Sequence, residues 1–121
     1  MDYKKNALVN EYVTEAPAEL AGAMQSIRNL IFEQAPEAKE MMNAQAPSYE
    51  FNGLQLASFS YGKDQVDFHI DASALERQRQ AFPGQSGFQV KPNEPLPLDS
   101  MRDSLAQKVR MIKDATEAEV K

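Results

Sequence analysis

The chain contains no cysteine. Disulfides, thiolate zinc sites, iron–sulfur ligation by this chain and cysteine nucleophiles are thereby excluded, and secretion gains no support. It has one histidine, His69, so a two-histidine, one-carboxylate iron triad cannot form within it. Glycine is scarce, five in all, and no glycine-rich loop followed by lysine is present to cradle a phosphate. No stretch approaches the ~20 apolar residues that a bilayer span needs. The opening MDYKKNALVNEYV has no long apolar run, so neither a leader nor an anchor is expected. These absences lead to the expectation of a soluble, cytoplasmic protein with no membrane partner. Basic residues are the minority, 13 against 18 acidic, for a net charge of −5. With no basic stripe, nucleic acid is not an expected partner; cations and basic protein surfaces suit the balance better.

What is present suffices for a folded domain. The 121 residues, 42% of them hydrophobic, predict one domain over 1–121, with a frayed tail over 116–121. A short amphipathic helix is expected from about Lys4 to Val13, with Leu8, Val9, Tyr12 and Val13 on one side. Pro17 fits the first turn of a second helix, with Glu19 near its positive end. Leu20, Met24, Ile27, Leu30 and Ile31 give that helix a buried stripe. It should end before Pro36, and Pro36 can open a third helix through Met42.

The period then changes to two. Ser48–Phe51 and Leu54–Tyr61 flank Asn52-Gly53, a hairpin turn pair. Gly62-Lys63-Asp64 makes another turn, and Gln65–Asp71 is a strand with Val66, Phe68 and Ile70 on one face. In the middle strand Leu54 and Leu56 share one parity and Phe59 and Tyr61 the other, which predicts a bulge near Ala57-Ser58. Ala72–Gln80 reads as a short helix, FPGQSG as a loop and Gly87–Val90 as an edge strand. A last helix runs from Asp99 or Ser100 to Ala115, capped by Asp99, with Met101, Leu105, Val109 and Ile112 buried. The pattern predicts an α+β two-layer sandwich: an antiparallel sheet covered on one face by the N- and C-terminal helices. Leu20, Met24, Ile27, Ile31, Leu56, Phe68, Ile70, Leu105, Val109 and Ile112 should share one core.

Three segments carry a resemblance. IRNLIFEQAPEAKE (27–40) looks like an arginine-bearing helix, a proline and an acidic turn. APSYEFNGLQLASFSYGK (46–63) looks like a proline–aromatic–glycine hairpin, and GFQVKPNEPLP (87–97) like a closing strand with a Pro-Leu-Pro entry to the last helix. Together they resemble the YdhG-like family, a domain family of unknown function with members described as frataxin-like iron chaperones. The resemblance spans Tyr12 to Arg110. It implies a frataxin-like fold, weak surface binding of iron through carboxylates, and iron–sulfur cluster assembly proteins as partners. The chain is expected to be a monomer or weak homodimer.

Asp67, His69 and Asp71 alternate along a strand and should project from one face. Oxygen donors with one imidazole suit ferrous iron, manganese or zinc; the plainer alternative is the solvated side of a half-exposed strand. Glu11 and Glu15, four apart, could share a cation on a helix face, or simply be solvated. Glu19, Glu37 and Glu40 read as charges complementing helix starts. Arg28, at the border of its helix stripe, reads as a snorkelling arginine paired with a carboxylate, or else as an anion contact. Tyr49, Phe59 and Tyr61 suggest core or cross-strand pairs, or an exposed aromatic platform. Met24, Met41, Met42, Met101 and Met111 read as core filler. No nucleophile-elbow sequence surrounds Ser58, Ser60 or Ser73, and an enzyme is not expected. The alternative to iron handling is a non-metal binding module that recognises a protein or small ligand through its exposed sheet face and the 80–87 loop.

Overall fold

Asn6 begins the described chain by accepting a hydrogen bond from the Leu8 N–H, which caps helix α1 (Ala7–Glu15). The structure is a computed structural model that describes residues 6–71, 85–92 and 94–117. The helix expected over Ala72–Gln80, Ser73, and most of the following loop lie outside those residues. Val9 and Val13 of α1 are buried, but Leu8, expected beside them, is 57% exposed. After the break at Ala16-Pro17, α2 (Ala18–Gln34) buries Leu20, Met24, Ile27, Leu30 and Ile31 and stops at Ala35, ahead of Pro36.

The helix expected from Pro36 to Met42 is not there. Lys39–Asn43 forms strand β1 and pairs antiparallel with β2 (Ala46–Phe51). Lys, Glu and Met favour helix, so ladder formation with β2 overrides local propensity. The tight turn between them holds Ala44 and Gln45 at φ of 53° and 67°, the mirror-image geometry that suits a two-residue hairpin. Asn52 and Gly53, at φ of 52° and 84°, make the expected turn into β3 (Leu54–Tyr61). Gly62 N–H donates to the Gln65 carbonyl at the next turn, which leads to β4 (Val66–Ile70), and β5 (Gly87–Val90) pairs with β4. The five strands lie in the order β1-β2-β3-β4-β5, every pair antiparallel.

The bulge is real and sits slightly earlier than expected. Tyr49 faces Ala57 and Glu50 faces Gln55, so Leu56 is the extra residue. Both Leu56 and Ala57 are buried, and the inward parity passes to Phe59, which is what one inserted residue does to a period of two.

Helix α3 (Leu98–Glu117) starts one residue before Asp99, so Asp99 lies in its first turn rather than capping it. It also runs past Ala115. The Thr116 hydroxyl donates to the Ile112 carbonyl and accepts from Asn52 Nδ2, so the helix is tied to the β2–β3 turn; residues 118–121 are outside the described ones. α1 packs on β1 and β2, α2 on β4 and on the other two helices, and α3 on β3 and β4. The ten expected core residues all belong to one buried cluster beneath these helices. The architecture is α+β, an open antiparallel sheet with helices from both chain ends.

Candidate functional site

Register places the outward side chains in rows across the sheet. One row is Met41, Ser48, Ser58, His69 and Gly87, in which Ser48 is buried; the next is Ser60, Asp67 and Gln89. The rows between them point the other way: Phe59, Phe68 and Phe88 are buried, as are Tyr49, Ala57 and Ile70. The outer face is thus built of small and polar side chains, and Met41, expected as core filler, belongs to it.

Asp67 and His69 stand on this face as the alternation predicts, half-buried and exposed. Asp67 Oδ1 accepts from Gln65 Nε2 at 3.0 Å. His69 leans over Gly87: a Cβ at position 87 would meet the ring Cε1 at 3.6 Å. Two shallow clefts flank the imidazole. One, about 310 Å³, has His69, Asp71, Gln55, Ser58 and Ser86 in its wall; the other, about 360 Å³, has Asp67, His69, Gly87 and Gln89. The expected trio is therefore divided, with His69 common to both clefts. Asp71, one residue past β4, also acts on α3: burial pushes the Lys108 ammonium below the usual lysine value, and the Asp71 carboxylate opposes that shift.

Glu11 and Glu15 both lie exposed on α1, since the helix continues through Glu15. Glu19 is on α2, beside a different cleft near Val90 and Glu94. Among the described residues no three His, Asp or Glu side chains come together to hold a metal ion. Among the described residues, iron as cargo would find two protein donors on this face, Asp67 and His69, where a closed site needs four to six.

Sequence reasoning missed the most developed polar cluster. Glu40, read as a first-turn helix charge, sits in β1 pointing inward, 3% exposed. Arg28 Nε and Nη2 donate to its two oxygens at 2.7 and 2.6 Å, Tyr49 Oη donates to Oε2 at 2.5 Å, and the Asn6 N–H donates to Oε1 at 2.7 Å. Arg28 Nη2 also reaches the Asn6 carbonyl at 3.4 Å. The expected arginine–carboxylate pairing is right in kind, but it is buried and bidentate. Burial and the adjacent Glu40 carboxylate push the Tyr49 phenol far above its usual value. Tyr49 stacks on Phe59 and meets Phe32 edge-on, and Tyr61 meets Tyr12 edge-on, so these aromatics are core and cross-element contacts, not a platform. The signal available in sequence was Arg28 and Glu40 flanking the Ala35-Pro36 break, 12 residues apart.

No known family, no curated protein and no solved structure matches the chain. None of the helices over the described residues is long and apolar enough to cross a membrane.

Proposed function

We propose that the protein is a non-enzymatic binding module and that the outer face of its sheet is the recognition surface. One observation carries this reading: every helix in the described residues packs on the same side, while the opposite side presents Ser58, Ser60, Asp67, His69 and Gln89 around two shallow clefts. Small hydroxyls, an amide, a carboxylate and an imidazole offer hydrogen bonds of both senses at little side-chain entropy cost, as recognition surfaces require. A catalytic role for Ser58 and His69 is not favoured. They are cross-strand neighbours, yet the imidazole lies over Gly87.

A second reading, weak capture of iron as cargo, is supported by Asp67 and His69 standing side by side on that face. It is the activity implied by the YdhG-like, frataxin-like resemblance, with cluster-assembly proteins as recipients. One titration separates the two. Isotope-labelled protein is mapped by NMR with a set of small polar fragments and, anaerobically, with ferrous iron. Fragment shifts gathered on Ser58, Ser60, His69 and Gln89, with no saturable effect of iron, are expected. Saturable iron broadening centred on Asp67 and His69, lost in Asp67→Asn/His69→Ala, would replace the first reading by the second. Fragment shifts confined to the helical side would overturn both.

A further inference from the structure

We infer that the free edge of β5 accepts an extended segment of a basic partner as a sixth strand. The inference rests on the recognition reading and specifies the form of the partner. β5 ends the sheet, and among the described residues no strand pairs with its outer side. The Ile70 N–H donates to the Ser86 carbonyl. With Ile70 opposite Ser86, the residues bonded to β4 are Ser86, Phe88 and Val90, because bonded and non-bonded pairs alternate in an antiparallel ladder. Gly87 and Gln89 therefore aim their backbone groups away from the sheet. The Gly87 carbonyl confirms this direction, since it accepts the side-chain amide of Gln85 at 2.8 Å. Among the described residues, what remains is an N–H at 87 and both groups at 89, the set an added strand uses.

An added strand sends alternate side chains to opposite faces, and a cleft waits beside β5 on each. On the outer face it is the one bounded by Asp67 and Gln89. On the helical face, between α2 and the segment after β5, a cleft of about 230 Å³ is lined by Leu20, Val90 and Leu96 together with Glu19, Lys91 and Glu94. A lysine or arginine suits this second cleft, where half-buried Leu96 offers apolar surface to its stem and Glu19 and Glu94 outnumber Lys91 around its head. With Asp67 on the other side and −5 overall, the charge complement is basic.

Gly22 bears on the same cleft. It sits inside α2, where glycine weakens a helix relative to alanine. Packing does not require it, because a Cβ there would have nothing within 4 Å. It lines the same cleft.

The test uses the full chain and a capped hexapeptide of alternating valine and lysine. The Gly87 and Gln89 amides should shift and slow in solvent exchange on titration, and binding should weaken with salt. Methylating the peptide nitrogens on alternate residues should weaken binding at least about tenfold in one of the two phases, as losing edge hydrogen bonds predicts. The same loss is expected for Gly22→Leu, which fills the cleft and raises helix propensity, and for Gln89→Pro, which removes an outward N–H. The methylated peptide needs no altered protein, so the test survives if a variant fails to fold. Equal binding by methylated and plain peptides, no binding of the lysine peptide, or dimers of the protein sealing β5 against itself would each overturn the inference. Shifts confined to Ser58 and Ser60, unaffected by Gln89→Pro, would overturn the edge while leaving the recognition reading intact.

Discussion

Glu40 gathers four hydrogen bonds from three elements: two from Arg28 of α2, one from Tyr49 of β2 and one from the backbone that starts α1. With both its oxygens engaged, the carboxylate is compensated for leaving water, and Arg28 likewise. Removing one partner strands the other charge. Glu40→Ala should therefore cost about 3–5 kcal/mol in a urea melt, several times what an exposed pair such as Arg102–Glu33 contributes. A change below 1 kcal/mol would mean that water reaches Arg28. Tyr49 gives a pH signature. Its phenol is held protonated in the fold, whereas a phenol in the unfolded chain titrates near 10. Above that pH the unfolded state releases a proton that the native state keeps, so stability falls as pH rises, by up to ~1.4 kcal/mol per unit. Tyr12, also raised by burial, adds in the same sense. Lys108 acts oppositely: its lowered value makes stability rise with pH toward its unfolded value near 10.5. Comparing native protein with Tyr49→Phe isolates the tyrosine, and denaturant melts from pH 9 to 11.5 should show the variant with the shallower alkaline loss.

At the scale of elements, the stripes of α2, α3 and β4 were legible because apolar residues recur at the period of the structure they form. Leu20, Met24, Ile27 and Ile31 take the core side, as do Val66, Phe68 and Ile70, and Asn52-Gly53 announces its own turn. β1 was not legible. Glu40 stands at an inward position where patterning expects an apolar residue, and its compensation by Arg28 and Tyr49 is tertiary. Nor does Ala44-Gln45 advertise a turn, since neither residue favours positive φ. That mismatch makes a prediction. Gln45→Gly should stabilise the protein by roughly 0.5–1 kcal/mol, the relief of the left-handed conformation less the added freedom of glycine in the unfolded chain. A loss of stability in thermal or urea melts would mean that the Gln45 side chain contributes contacts that outweigh its backbone. For the site, Asp67 and His69 were legible from alternation alone. The division of the trio between two clefts was not, because it depends on Gly87 of β5 and on Ser86 just before that strand.

At the scale of the whole molecule, the three helices among the described residues pack against one side of the five described strands, and on the other side those strands present Ser58, Ser60, Asp67, His69 and Gln89. The proposed function, in either reading, needs that side to be reachable by a partner or a metal. Solvent paramagnetic relaxation measures this directly. With a neutral gadolinium chelate in solution, the side-chain protons of Ser60, His69 and Gln89 should relax nearly as fast as those of exposed Glu15 and Lys113. Those of Phe68 and Ile27 should stay protected. Protection of Ser60, His69 and Gln89 at the level of Phe68 would mean that the outer face is covered, and would contradict the recognition surface at its foundation.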